Sequence, residues 1–491
     1  MKIGSMKNIG WHTRSGHLDF FAKLSSRLKE KGNDICSHYI CHSKAEEKNL
    51  KDKYNITPWN LGDYLEERKK TFHLSEDTLS ELEDKYNLIP LRRLLWSEMY
   101  EKGFKEHILI FHLVAHIEFW EKFLTENRID CMVSERPSIL STSVLWMLCK
   151  KHNIQFVDFI NIGIDGRIVF TSSWYGDIDY FEDKYRTIEI DEMSETYRKT
   201  VTYLEKMTTL PEKPKYIFKN LQTGDIITSN ELYKNFPKMG NIFKLPRRIK
   251  HAITSRAYYT DTITEEYLSI FMLHLRSVYH RLFHIFEKNV DLTKERYFLF
   301  PLHILHEWSN YPWMGLKYPN TVSVVSDIVS CIPLGSKLYV KEHTTNFPEK
   351  SISFYRAIKR HQQVRLIDRF EDTYKLLRNS GGVITLGGTI GWEAFLIGKA
   401  VVILGEAWYK HLPGVYKAKS IEHLTALLQG IKKLPLATKE DKIKAIYALF
   451  ELSFEAQRYP IVDLITAENI ERYIEPFESW LRDNVGVSKS G

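Results

Sequence analysis

Lys341 and His343 stand two residues apart at the end of a short apolar run. The same segment holds Gly387-Gly388-Thr389-Ile390-Gly391-Trp392-Glu393. If the strand expected over 337–340 continues, the ammonium and the imidazole leave on one face. Residues 382–386 form a second apolar run, which breaks into Gly387-Gly388 and so permits a tight turn and close approach of a ligand to the backbone. Thr389 can cap a following helix. That helix opens with Gly391 and is expected to carry Glu393 in its first turn. Free N–H groups and the positive dipole end there suit a phosphate, and a neighbouring carboxylate suits ribose hydroxyls. Lined up along the ends of adjacent parallel strands, these groups make a nucleotide site. A purely structural strand–turn–helix unit explains the glycines as well, because a glycine loop alone is a weak signal.

The elements around this segment alternate strand and helix. Residues 6–10 read as a strand running into the polar loop His12-Thr13-Arg14-Ser15-Gly16-His17, followed by an amphipathic helix with Phe20, Phe21, Leu24 and Leu28 on one face. The run 36–41 is the next strand, and 44–125 is mostly helical. Residues 130–134 form a strand ending at Glu135-Arg136-Pro137, and 154–160 another, ending in a loop that reaches Arg167. That pattern predicts Glu135 and Arg167 at neighbouring strand ends of a doubly wound sheet. A carboxylate there is a general-base candidate, although an ion pair or a helix cap would also explain it. His12, Arg14 and His17 belong to a solvated loop or to one that contacts an acceptor.

Residues 177–290 read as a helical insertion. It contains a basic stretch over 234–256 that suits either a solvated face or an acidic lipid surface. Thr262-Ile263-Thr264-Glu265 fits a capping box. A second α/β unit starts near 296, with its first strand ending at His303-Ile304-Leu305-His306.

The length of 491 residues implies two or three domains. A hydrophobic share of 43% with 27% charged residues is ordinary for a globular chain. The net charge of +7 suits anionic ligands and falls short of a nucleic-acid signature. Five widely spaced cysteines include no CxxC pair, which argues against a zinc site and for a reducing compartment. No stretch approaches the roughly 20 apolar residues of a membrane span. A cytoplasmic protein is expected, with peripheral contact at the cytoplasmic membrane face.

Two α/β units facing each other across a cleft suggest a GT-B glycosyltransferase. Residues 296–416 also resemble the capsule polysaccharide biosynthesis family, best known for Kdo transferases. The resemblance is carried by Pro301-Leu302, Lys341-Glu342-His343, Thr389-Ile390-Gly391-Trp392-Glu393-Ala394, Gly398-Lys399-Ala400-Val401-Val402, Leu404-Gly405 and Trp408-Tyr409. It implies that Lys341 and His343 bind the phosphate of a CMP-activated sugar, with Gly388 and Thr389 on the same phosphate and Glu393 on the ribose. Thr344 stands where the family has proline. His303 and His306-Glu307-Trp308-Ser309 replace its Gln and Asp-Ser-Gln, which leaves the donor's sugar open.

The reading that follows is an α/β fold of GT-B type, two Rossmann-like domains with a helical insertion, over 1–176, 177–290, 291–470 and a C-terminal helix and tail at 471–491. The expected activity is metal-independent transfer of Kdo or another sugar acid, such as a nonulosonic acid, to a hydroxyl of a bacterial surface polysaccharide or glycolipid. The donor side is Lys341, His343, Gly387, Gly388, Thr389, Gly391 and Glu393. Glu135 is the candidate base, with Asp19 and Asp165 behind it. Arg14, His17, Arg167, His303 and His306 are candidate contacts to acceptor or sugar. No cofactor, metal or nucleic acid is expected. A CDP-glycerol-type polyol-phosphate transferase, a nucleotide-sugar epimerase and a non-catalytic nucleotide- or glycan-binding assembly protein are the alternatives.

Overall fold

The computed structural model describes residues 7–12, 17–73, 76–86, 90–92, 94–95, 106–137, 139–173, 177–209, 276, 279, 283, 285–303, 321–343, 350–459 and 461–485. Arg14, His306, the basic stretch 234–256 and the capping box at 262–265 lie outside these residues.

Two sheets organise the chain. The first joins β1 (Lys7–His12), β2 (Ile35–Cys41), β3 (Trp59–Asn60), β4 (Cys131–Ser134), β5 (Gln155–Asn161), β6 (Arg167–Thr171) and β13 (Phe454–Glu455) in the order β13-β6-β5-β4-β1-β2-β3. The five strands β1 to β5 run parallel, whereas β6 and β13 join antiparallel. The second sheet joins β7 (Arg296–Pro301), β8 (Ser336–Lys341), β9 (Val364–Ile367), β10 (Val383–Thr385), β11 (Val401–Ile403) and β12 (Val415–Lys417) in the order β12-β11-β10-β7-β8-β9, all parallel. This is the expected pair of Rossmann-like units.

The parallel strands are short apolar runs because helices cover both of their faces. Phe298, Leu299, Phe300, Leu338, Tyr339 and Val340 are fully buried. On the first sheet, the helix Glu106–Glu126 and the helix Leu140–Lys151 fill one face with Trp120, Phe123, Val144 and Leu148. The helix His17–Glu30 covers the other with Phe20, Phe21 and Leu24, beside Tyr473 and Phe477 of the C-terminal helix Ala467–Asn484.

Two features differ from the sequence expectation. The loop after β5 does not lead onward to a parallel strand. Gly163 (φ +81) and Gly166 (φ +69) take left-handed conformations that turn the chain back as the antiparallel strand β6. Arg167 therefore begins a strand. The second difference lies after the helix Lys439–Leu452, where the chain crosses back: β13 pairs with β6, and the last helix packs on the first sheet. Residues 454–470, assigned above to the second unit, lie on the first. In the described part of the insertion, the helix Glu195–Thr209 packs against the helices Lys439–Leu452 and Thr389–Ile397. One apolar core then runs from Ile160 and Ile162 through Leu204 to Trp392 and Tyr409. No helix of the described residues is long and apolar enough to cross a membrane.

Candidate functional site

In the second sheet the strand sequence reverses between β7 and β10: β8 and β9 continue on one side, β11 and β12 on the other. The carboxyl ends at such a reversal open a crevice in which open α/β sheets bind ligands. His303 follows β7 there, and Leu386-Gly387-Gly388 follows β10. Thr385 pins the glycine loop, its hydroxyl accepting from the amides of Gly387 and Gly388 at 3.2 Å each. A Cβ at Gly388 would stand 2.8 Å from His303 Cε1, so glycine is what lets the imidazole lie against the loop. Tyr409, fully buried, donates its hydroxyl to Gly388 O at 2.5 Å, and a Cβ at Gly391 would meet its ring at 2.8 Å.

The helix after the loop begins at Thr389, and its cap is Gly388, which brings no side-chain oxygen to the first turn. Thr389 is thus the first helical residue, not the cap. It is exposed, and its methyl lies 3.5 Å from a Cβ built at Gly163 of the first sheet's hairpin. The carboxyl edges of the two sheets meet at this point. Glu393 is the fifth residue of the helix, beyond the first turn where it was expected, and hydrogen-bonds Tyr374. That partner turns the carboxylate toward the neighbouring helix Thr373–Asn379.

Lys341 differs most from its expected role. It is buried, and its ammonium donates to the carbonyls of Arg369 (2.9 Å) and Glu342 (3.2 Å), on the β9 side of the strand. The two residues of the Lys-x-His pair therefore do not act alike. His343 is half-buried, with its amide donating to Glu342 Oε1 at 2.7 Å. Burial, with the charge of Lys350 adding to it, pushes the His303 imidazole down to about 4, so His303 is neutral near pH 7.

The first sheet has its own reversal, between β1 and β4. His12 and Ser134 end these strands, both buried, with His12 Nδ1 and Ser134 Oγ 2.7 Å apart. His12 Nε2 lies 2.8 Å from His42 Nε2. Strand alternation extended by two residues would have placed His12 inside the sheet, but its pairing with residues 30 and 122 positions away has no local signal. Glu135, the next residue after β4, is half-buried and close enough to Arg458 to act on its charge. Arg458 pairs with Asp158 at 3.1 Å, and Arg136 approaches the same carboxylate at 4.0 Å. His17 starts its helix with its ring edge-on to Tyr459 at 5.6 Å.

Arg167 does not face the crevice. Its guanidinium donates to Phe450 O (2.5 Å), Ser453 O (3.0 Å) and Ser453 Oγ (2.9 Å), closing the end of the helix Lys439–Leu452. Asp19 accepts from Asn49 at 3.0 Å on the side facing the helix Lys44–Tyr54. Asp165 is exposed at the hairpin that meets Thr389. Among the described residues no group of three or more His, Cys, Asp or Glu side chains gathers as a metal site.

Two Rossmann-like units whose carboxyl edges meet, with a glycine loop on one of them, define a GT-B type of architecture. Residues 187–426, just under half of the chain, match the family model described as capsule polysaccharide biosynthesis protein, which bears out the resemblance read from the motifs. No curated protein matches the chain. Among solved structures, the chain is similar to the β-Kdo 2,7 transferase KpsC of Thermosulfurimonas dismutans at 8% identity and a TM-score of 0.39, over 94% of this chain and 98% of that one. It is also similar to a putative UDP-N-acetylglucosamine 2-epimerase of Listeria monocytogenes (10%, TM-score 0.28, 98% of each chain). The spinosyn rhamnosyltransferase SpnG gives 11% and 0.26, over 94% of this chain and all of that one.

Proposed function

We propose that the chain is a glycosyltransferase that moves a sugar acid, Kdo or a nonulosonic acid, from a CMP-activated donor to a hydroxyl of a bacterial surface polysaccharide or glycolipid. The observation that carries this reading is the crevice at the β7–β10 reversal. It joins a glycine loop, an uncapped helix start and the His303 imidazole within the segment that matches the capsule family. The phosphate of the donor rests at the start of the helix Thr389–Ile397, against the Thr389 N–H, where the helix dipole favours negative charge. His303, being neutral, donates or accepts a hydrogen bond there without adding charge. As the bond from sugar carbon to phosphate oxygen breaks, the growing charge on CMP falls on these fixed donors.

The acceptor approaches from the first sheet's edge. Glu135 is the candidate base because it follows β4, beside the reversal of that sheet. Transfer without a metal and residence at the cytoplasmic membrane face, through the basic stretch 234–256, belong to the same reading.

Thermal-shift measurements with CMP, CDP, UDP and GDP test it. Stabilisation by CMP alone is the expected result. A larger response to CDP would point to polyol-phosphate transfer. UDP would point to an epimerase, and no response to a non-catalytic assembly protein.

A further inference from the structure

The helix Ile352–Lys359 leads from β8 to β9, the edge strand on the far side of β8 from the donor crevice. It buries Tyr355 and Ile358 in the core that it shares with β7 and β8. Arg356 and Lys359, with Arg360 at the C-terminal cap, are exposed. These three cations rim a cavity of about 180 Å³, lined in addition by Tyr279, Ile285 and Tyr355. Its walls are mostly apolar, and no carboxylate is among the described lining residues. Arg356 donates to the Tyr279 hydroxyl at 2.8 Å, and its guanidinium carbon stands 5.4 Å from the centre of that ring. Lys359 donates to Ile285 O at 3.2 Å. Tyr279 stacks in turn on Phe283, with ring centres 4.4 Å apart, and Phe283 is 61% exposed.

The helix dipole explains a cation in a last turn, and a lone exposed ring needs no explanation. Neither accounts for the combination, in which an exposed ring continues an apolar hollow and three cations surround it. A free sugar acid or nucleotide would call for hydrogen-bonding groups in the walls, which these walls lack. What complements cations beside exposed apolar surface is a layer that is anionic outside and apolar beneath, and a bilayer carrying anionic lipid has that profile.

We propose that this patch docks the chain on an anionic lipid bilayer. Phe283 enters the interface, and Arg356, Lys359 and Arg360 lie against the headgroups. The patch is outside the donor crevice, so the inference is independent of the nucleotide reading. It deepens only the membrane-face part of the proposed function, giving that contact a surface on the second unit besides the stretch 234–256.

The test is co-sedimentation of the full chain with phosphatidylcholine vesicles, with and without phosphatidylglycerol. The wild type should pellet with the anionic vesicles, less so as salt rises, and stay in solution with the neutral ones. Each cation near such a surface strengthens binding about fivefold, so Arg356→Gln/Lys359→Gln/Arg360→Gln should weaken it roughly a hundredfold. Phe283→Ser should weaken it several-fold with every charge in place. A control that removes three exposed lysines beyond β12, Lys432→Gln/Lys433→Gln/Lys439→Gln, should stay within about twofold of the wild type, since charge acts only near the membrane. Wild-type binding by the triple arginine–lysine variant or by Phe283→Ser overturns the proposal, as does an equal loss in the lysine control. Release from the vesicles by millimolar glycerol phosphate would identify a small-anion site and overturn lipid docking. A wild-type chain that stays off anionic vesicles overturns this surface and the membrane-face reading together, while the nucleotide reading keeps its own thermal-shift test.

Discussion

Replacing Gly391 by alanine sets two effects of known sign against each other. Gly391 is inside the helix Thr389–Ile397, where alanine is the better helix former by about 1 kcal/mol. On helix propensity alone the variant should be more stable than the natural chain. The surroundings reverse that. A Cβ at Gly391 would lie 2.8 Å from both Cε2 and Cζ of Tyr409, whose ring is fully buried and holds the glycine loop through Gly388 O. Forcing a methyl into such a core costs roughly 1–3 kcal/mol. Displacing the ring also weakens its hydrogen bond, worth about 1 kcal/mol. The net expectation is destabilisation by about 2 kcal/mol, close to a 30-fold fall in the folded-to-unfolded ratio. Urea denaturation followed by circular dichroism measures it. Tyr409→Phe alone should cost about 1 kcal/mol, and in the double variant the two losses should fall short of additivity, because both act on one contact. A Gly391→Ala protein as stable as the wild type, or more so, would refute the account of why that position is glycine.

Glu135→Gln should abolish sugar transfer in a coupled assay while CMP affinity stays intact, and near-normal turnover removes Glu135 as the base. Arg167→Met should lower stability by about 2–3 kcal/mol, since it strips charged hydrogen bonds from Phe450 and Ser453. CMP affinity should hold, and a selective loss of binding with normal stability would return Arg167 to the ligand. Acid should destabilise the fold through His116, which burial, with His112 and His12 adding to it, pushes down to about 3. The folded chain keeps this imidazole neutral while the unfolded chain protonates it below about 6.5, so the stability is present at neutral pH and declines as pH falls below that value. The decline should reach about 2 kcal/mol by pH 5. His116→Asn should flatten urea midpoints between pH 7 and 5, and an unchanged slope would contradict this.

What the sequence disclosed and what it hid divide along a physical line. Strands β7, β8, β10 and β11 were legible because a parallel strand covered on both faces is a continuous apolar run. The glycine loop was legible because its backbone needs are local. The direction of Lys341 was not, since one of its carbonyl partners belongs to Arg369, 28 residues away and just past the end of β9. The hairpin at Gly163 and Gly166 was read as another strand-end loop, because antiparallel return and parallel continuation share the same punctuation. The union of His12 with Ser134 depends on strand order, which no spacing encodes.

The crossing at Phe454–Glu455 has a consequence for how the protein is made. Tyr473 and Phe477 help to seal one wall of the first sheet, so a unit synthesised early depends on a segment synthesised more than 280 residues after its strand β6. Folding along the emerging chain, in which domains usually finish in order of synthesis, leaves that wall exposed until residues 467–484 have left the ribosome. A fragment ending before Phe454 should therefore aggregate through its first half, although every residue of that half is present. Expressed separately, the two halves should recover solubility only when the second half brings the returning helix with it.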